Sequence, residues 1–356
     1  MKTGRSLQEL AIELDRQNSA KRDLIVDTGA MRMDEADGGI VLNVGTDDDH
    51  ESFTINNIAH RQVGAHLKIP APYYDRMRSE FPSLLTRNVN GWLAKTPDTR
   101  RMLRTLDGTA RAFLSDRYRR IDNYEVAQTV LPIIGKMPDA SIASCDLTDQ
   151  RLYIKVVDPR VTAEITPGDV VQAGVIITNS EVGLGSVNVS PLIYRLVCSN
   201  GMIAQDAGIR KYHVGRLNDT DGDNYEIYRD ETIEADDTAF LMKLEDTVRA
   251  AVDQAMLSKL VDKLRETKEA RIEAAAVPQV VELTAKEYRI TQDEGKGILG
   301  HLIEGGDLSL YGLANAVTRH AHDVDSYDRS TELEATGYRI ITMAPALWRR
   351  INAGVA

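Results

Sequence analysis

Cysteine is nearly missing from this chain: Cys145 and Cys198 are the only two in 356 residues. Two thiols cannot build a disulfide framework, and their spacing is not that of a zinc site. Both read as buried thiols acting as small apolar side chains. Also missing is any apolar run of the roughly 18 residues that a membrane-spanning helix requires. The N-terminal stretch "MKTGRSLQELAIELDRQNSAKRD" has no apolar central region and no small-residue cleavage site. A cytoplasmic protein without membrane contact is therefore expected. No GxxxxGK[ST] occurs, and "NSEVGLGSVNV" has Gly183 and Gly185 but not the third glycine of a dinucleotide fingerprint. That stretch reads as a glycine-containing β-turn. Neither an internal repeat nor a low-complexity tract is present.

Positive charge is in deficit overall, with a formal net charge of -11, and its placement is uneven. Residues 34–51 carry seven acids and no Lys or Arg, and residues 219–237 carry nine acids against Arg229 alone. Between these blocks, residues 76–120 carry ten arginines and Lys95 against Glu80, Asp98, Asp107 and Asp116. The densest part is "RRMLRTLDGTARAFLSDRYRR", residues 100–120, with seven arginines. Local basic charge on an acidic protein marks a place where a polyanion can sit while the rest of the surface repels it.

With 42% hydrophobic and 27% charged residues, the chain can bury a sizeable core. Ser6 three residues before Glu9 predicts a capped helix with Leu7, Leu10 and Leu14 on one stripe. "DLIVDTGAM" and "GIVLNVG" predict a hairpin with "RMDEADG" as its loop. Residues 56–95 read as two or three short helices broken at Pro70, Pro72 and Pro82. Asp122 or Asn123 caps the helix that follows the basic stretch. Strands are predicted at "ASIASCDL", "RLYIKVVD", "DVVQAGVIIT" and "GSVNVSPLIYRLVC", with a tight turn at Asn200-Gly201. Farther on, Leu241, Leu244, Val248, Ala251, Ala255, Leu260 and Leu264 mark one long amphipathic helix. Helix starts are predicted at Thr284 and Thr291, a stop at Gly305-Gly306, and a helix over "SLYGLANAVTRHAH". The expected fold is α+β. A mixed, mostly antiparallel sheet core with flanking helices occupies residues 1–216, an acidic linker 217–238, and a helical region 239–356.

Asp107-Gly108 is the strongest short-range hairpin signal. A two-residue turn there pairs Leu106 with Thr109, Arg104 with Arg111 and Met102 with Phe113. Strand alternation then turns Arg101, Leu103, Thr105, Ala110, Ala112 and Leu114 toward the core. Arg104 and Arg111 are left opposed on the exposed face, an unfavourable pairing unless an anion lies between them. Arg117, Tyr118, Arg119 and Arg120 continue the positive charge toward the next helix.

Other constellations carry less chemistry. "DTDGDNYEIYRD" places acids at four positions of a calcium loop, but Asn224 stands where the sharp turn needs glycine. His320 and His322 are two apart, which on a helix points them to different faces. "DLTDQRLYIK" lacks the second acid that a nuclease strand places before its lysine, and reads as a buried edge strand. Cys198 and His213 have no sequence-level reason to converge. Hence no catalytic residue, no metal ligand and no cofactor is expected.

Four stretches, "AHRQVGAHLKIPAPYYDRM", "FLSDRYRRIDNYEV", "NSEVGLGSVNVSPLIYRLVCSNGM" and "LYGLANAVTRH", together resemble the phage- and plasmid-borne family catalogued as domain of unknown function 932. The resemblance runs from about residue 20 to about residue 340, with residues 179–202 its most specific part. It implies a mobile-element protein met beside replication and recombination genes, and supplies no catalytic residues. Arg319 and His320 stand where the family usually continues with aromatic and acidic residues.

The function expected from these readings is non-catalytic binding of single-stranded nucleic acid in recombination or replication, in the manner of annealing proteins. Arg104, Arg111, Phe113, Arg117, Tyr118, Arg119 and Arg120 are its candidate contacts, because arginine pairs with phosphate and aromatic rings stack on bases. Self-association into a homo-oligomer fits that role. A protein-interaction module that binds a host factor through the helical region, with no nucleic-acid role, is the alternative. Metal-dependent nucleic-acid processing ranks third.

Overall fold

A computed structural model describes residues 1–36, 39–46, 49–211 and 230–354. His213, the segment weighed for calcium up to Arg229, and residues 217–229 of the expected linker lie outside these. Among the described residues, twelve α-helices and two six-stranded sheets make an α+β fold. The chain opens with α1 (Leu7–Ala20), β1 (Arg22–Asp27), β2 (Met31–Ala36), β3 (Gly39–Gly45) and β4 (His50–Ile55). Three helices follow, α2 (Asn57–His66), α3 (Ala71–Glu80) and α4 (Pro82–Leu93), then β5 (Arg100–Leu106), β6 (Thr109–Ser115) and α5 (Asn123–Gly135). Next come β7 (Ser141–Leu147), β8 (Leu152–Glu164), β9 (Val170–Asn179), β10 (Val187–Arg195), β11 (Asn200–Ile203) and β12 (Ile209–Lys211). The rest is helical: α6 (Asp230–Ala251), α7 (Gln254–Lys268), α8 (Val277–Glu287), α9 (Gln292–Gly305), α10 (Leu310–His320), α11 (Tyr327–Ile341) and α12 (Pro345–Asn352).

The N-terminal sheet has the order β1-β5-β6-β4-β3-β2, antiparallel except where β4 runs parallel to β6. Met31 and Met33 alternate inward, so "RMDEA" is strand β2 paired with β3, and the expected loop is itself part of the sheet. The strand before it, β1, pairs with β5 at the far edge. One face of this sheet is covered by α2–α4. Val63, Tyr74, Met77, Leu85 and Val89 meet Met33, Leu42, Phe53, Leu103 and Phe113 there. Each such fully buried side chain is worth about 1.5–3 kcal/mol.

The central sheet has the order β11-β10-β9-β8-β7, with β12 on β10. The "RLYIKVVD" strand is therefore an inner strand, flanked by β7 and β9, and not an edge. One face packs Ile154, Val175, Ile177 and Val189 against α1, α5, α6 and α7 through Leu10, Val126, Val130, Leu244 and Leu260. On the other face Tyr153, Ile176 and Leu192 meet Tyr327 and Ala335 of α11. The first of these cores continues unbroken into Val280, Ile298, Leu302, Leu313 and Val317 of α8–α10. The helical half thus shares the core of the central sheet.

Capping signals hold where side chains could close on backbone donors. Ser6 with Glu9, Asp122 with Glu125 and Thr291 with Glu294 each form a capping box, and Gly306 ends α9 in the left-handed conformation at φ 68°. Thr284 caps nothing: it lies inside α8 and its hydroxyl donates to the Val280 carbonyl at 2.7 Å. The expected long helix breaks after Ala251, and Asp253 caps α7. Helix α6 begins at Asp230, inside the expected linker. The β10–β11 turn comprises residues 196–199, with Ser199 at φ 51°, while Asn200 and Gly201 belong to β11. Cys145 is buried as expected, but Cys198 sits half-buried in this turn.

Candidate nucleic-acid interface

The hairpin turns where the sequence places it. Asp107 and Gly108 both have positive φ, 50° and 74°, as a type I′ turn requires, and Leu106 pairs with Thr109. Two residues later the register changes. Thr105 opposes Ala110 but Arg104 opposes Ala112, so Arg111 is the extra residue of a β-bulge. Beyond the bulge every β6 side chain changes face. Phe113 moves to the core face beside Leu103, while Ala112 and Leu114 join Met102 on the other.

The face that carries Arg104 is not solvent either. Arg104 is fully buried: its Nε donates to Asp23 at 2.8 Å, Nη2 to Asp122 at 2.7 Å, and Nη1 to the Glu181 carbonyl at 3.0 Å. Burial opposes its charge, but Asp122 and Asp23 outweigh burial and hold its pKa above the ordinary arginine value. Burial would likewise raise the Asp122 carboxyl, yet Arg104 and Lys21 keep it below the usual range. Arg111 is buried too, with Nη2 2.6 Å from Glu181 Oε2 and its Nε without a hydrogen-bond partner. The backbone N–H of Asn123 donates to the other Glu181 oxygen at 2.5 Å. Asn179 Nδ2 donates to the Ile121 carbonyl and Asn123 Oδ1, both at 2.9 Å. The Tyr118 hydroxyl donates to the Ser180 carbonyl at 3.0 Å, and burial pushes its pKa up. Asn179-Ser180-Glu181 is thus the plug that receives the hairpin arginines and joins the two sheets.

This arrangement corrects the expectation of an exposed arginine face. The anions that separate Arg104 from Arg111 are the protein's own carboxylates. Arg104, Arg111 and Phe113 are out of reach of any polymer in this fold. Tyr118 is half-buried. Arg117 is exposed, Arg119 half-buried, and Arg120 exposed with Asp23 3.3 Å away. Arg101, expected on the packed face, lies half-buried with its guanidinium 4.9 Å from the Phe113 ring centre.

Exposed cations and rings meet instead on the helical layer α2–α4. Its inner side faces the N-terminal sheet, and Arg78 and Arg87 stand at its margins, Arg78 lining a cleft with Glu35 and Ile40 and Arg87 one with Asp34 and Asn43. Tyr73, Phe81 and Trp92 are 46%, 53% and 45% exposed on this layer, a high figure for large rings. Residues 57–96 carry Arg61, Lys68, Arg76, Arg78, Arg87 and Lys95 against Asp75 and Glu80. Arg61 pairs with Asp75 at 2.8 Å and Arg76 with Glu80 at 2.9 Å. Lys68, Arg78, Arg87 and Lys95 have no carboxylate partner among the described residues. Lys95 sits 5.0 Å over the Trp92 ring, leaving the indole exposed beside a cation. Beneath the layer, burial drives His60 down to about 3, and its Nδ1 lies 2.8 Å from the Tyr74 hydroxyl. A neutral imidazole and a fixed phenol therefore brace α2 against α3.

The sequence model for the Domain of unknown function (DUF932) matches residues 112–340, more than half of the chain. The chain belongs to the DUF932 family. The DUF932 match begins inside β6 and spans the central sheet and α5–α10 with nearly all of α11, whereas α2–α4 precede it. No curated protein and no solved structure matches the chain. The Asn179–Glu181 plug falls within the DUF932 match, whereas its partners Arg104 and Arg111 precede it.

Proposed function

We propose that this DUF932 protein binds single-stranded nucleic acid through the outer side of α2–α4, without catalysing a reaction on it, in the cytoplasmic recombination or replication setting that the family resemblance implies. The observation that carries this reading is the exposure of Tyr73, Phe81 and Trp92 among cations, four of which, Lys68, Arg78, Arg87 and Lys95, have no carboxylate partner among the described residues, on a chain of net charge -11. Single-strand binders need rings on which bases stack and cations that track the backbone, and need no nucleophile. Arg117 extends positive charge beyond β6. The acidic block at residues 34–51 discourages the polymer from neighbouring surface.

The test is anisotropy of a labelled oligothymidine titrated with protein across a salt series. Trp92→Ala is expected to weaken binding about tenfold, from a stacking contribution of about 1–3 kcal/mol per base. Replacing Arg78, Arg87 and Lys95 together by Gln is expected to lower the log-log salt slope by up to about 2, at roughly 0.7 per phosphate contact. Wild-type affinity and slope in both variants, or no binding by the parent protein, overturns the reading.

A further inference from the structure

A cluster that the nucleic-acid reading does not use lies where α9 packs on α10. His301 projects from α9, His320 is the last residue of α10, and Asp323 stands in the turn before α11. His301 Nε2 lies 2.5 Å from Asp323 Oδ2, and His320 Nδ1 lies 3.2 Å from the same oxygen. One ligand atom from each of the three lies within 4.8 Å of the others. The turn folds Asp323 back over the helix end through its N–H to the His320 carbonyl at 2.9 Å. Both imidazoles are mostly buried while the carboxylate is 44% exposed. The cluster is therefore walled by protein on the histidine side and open to solvent on the aspartate side.

Packing of α9 on α10 is shaped around this group. A Cβ at Gly297, one turn before His301, would come within 2.5 Å of the His320 ring, so glycine leaves the room that the imidazole occupies. His301 Nδ1, on the side of the ring away from Asp323, faces Glu304 Oε2 at 3.8 Å. That is longer than a hydrogen bond, but it leaves an exposed carboxylate within reach of the second nitrogen, where ligating imidazoles commonly find one. His322 takes no part: its Nδ1 lies 3.2 Å from Arg319 Nη1, pointing away from the cluster. The two-residue spacing does separate His320 from His322, and His301 from the neighbouring helix is the histidine that converges with His320.

The geometry points to a mononuclear site for a first-row divalent metal ion of borderline softness, zinc being the representative, held by His301 Nε2, His320 Nδ1 and one Asp323 oxygen. Imidazole nitrogen with a single carboxylate suits zinc and its neighbours better than the all-oxygen sets of magnesium or calcium. On binding, each neutral imidazole gives its lone pair where it now meets Asp323, and its proton resides on the opposite nitrogen, at His301 toward Glu304. Small side-chain rotations bring the donors to the roughly 2.0–2.2 Å of zinc bonds. Three protein ligands leave a position for water or a substrate atom. This inference is independent of the nucleic-acid reading, since none of its residues lies on α2–α4.

The test uses the full chain, stripped with a chelator and titrated calorimetrically with zinc chloride. One equivalent is expected to bind at micromolar or lower concentration. His301→Ala and His320→Ala should each weaken binding by about 100-fold or more, because even the outer partners of such ligands are worth about 10–100-fold. His322→Ala should bind as the parent does. If an alanine variant does not fold, the cobalt(II) complex of the unmodified chain decides. Intense visible bands of a four- or five-coordinate ion, displaced by one equivalent of zinc, support the site, and the weak spectrum of a hexahydrated ion refutes it. Absence of stoichiometric zinc binding, or binding unchanged in both folded histidine variants, overturns the inference.

Discussion

Arg104 shows how burial changes what an arginine is for. In solvent it is a phosphate ligand, but at 0% exposure between Asp23 and Asp122 it neutralises two largely buried carboxylates, which without it would keep only Arg120 and Lys21. Removing one partner of a buried pair costs more than the pair contributes, because the remaining charge keeps its desolvation penalty. Arg104→Gln is therefore expected to destabilise the protein by about 3–5 kcal/mol in urea unfolding at neutral pH. The sign of its pH dependence follows from Asp122, whose carboxyl is held below its ordinary value of 3.8. A depressed carboxyl stabilises the fold above its unfolded pKa and loses that contribution as pH falls through its folded value. The gap between parent and variant should then be full at pH 7 and close below about pH 4. A variant as stable as the parent at pH 7 would show that the pair does not hold the sheets together.

At the scale of elements, local rules held where a few neighbouring residues decide and failed where a partner strand decides. The turn at Asp107-Gly108 and the capping boxes at Ser6 and Thr291 follow from residues within three positions of each other. The bulge at Arg111 does not, because it answers to Glu181 from the central sheet. Close approach between elements is likewise silent in the sequence. Gly312, in the first turn of α10, comes so near the preceding segment that an added Cβ would stand 1.8 Å from the Asp307 carbonyl oxygen. Gly312→Ala is expected to lower stability by about 1–3 kcal/mol through forced backbone shifts. Exposed Gly305→Ala, which meets nothing, should not be destabilising in the same thermal melts.

At the scale of the molecule, the expected division into a core, a linker and a helical region meets a core that runs from Leu10 to Ile351. Leu244, Leu260 and Val280 bury their side chains against the same cluster as Ile154 and Val175, so the helical half and the central sheet share one core, while the N-terminal sheet closes its own against α2–α4. Expressed separately, residues 217–356 are expected to lack a cooperative thermal transition, because their apolar faces are covered by the central sheet, and expressed together with residues 1–216 to copurify as one particle. A cooperative transition in the isolated 217–356 fragment would show that the helical region is self-sufficient. Among the described residues no helix is long and apolar enough to cross a membrane.

The α+β class, most strand and helix positions, the Asp107-Gly108 turn and the asymmetric charge were all determined by the sequence, since each depends on periodicity, capping or composition over short spans. Family membership was legible too, in the motif stretches themselves. Only the tertiary structure decided which arginines face water. Arg104 and Arg111 became internal ion-pair partners because Asp23, Asp122 and Glu181 arrive from 81, 18 and 70 positions away along the chain. For the same reason the exposed rings proved to be Tyr73, Phe81 and Trp92, and His320 found His301 across a helix pair. Side-chain exposure and convergence are properties of packing between distant segments, and a linear pattern carries no term for them.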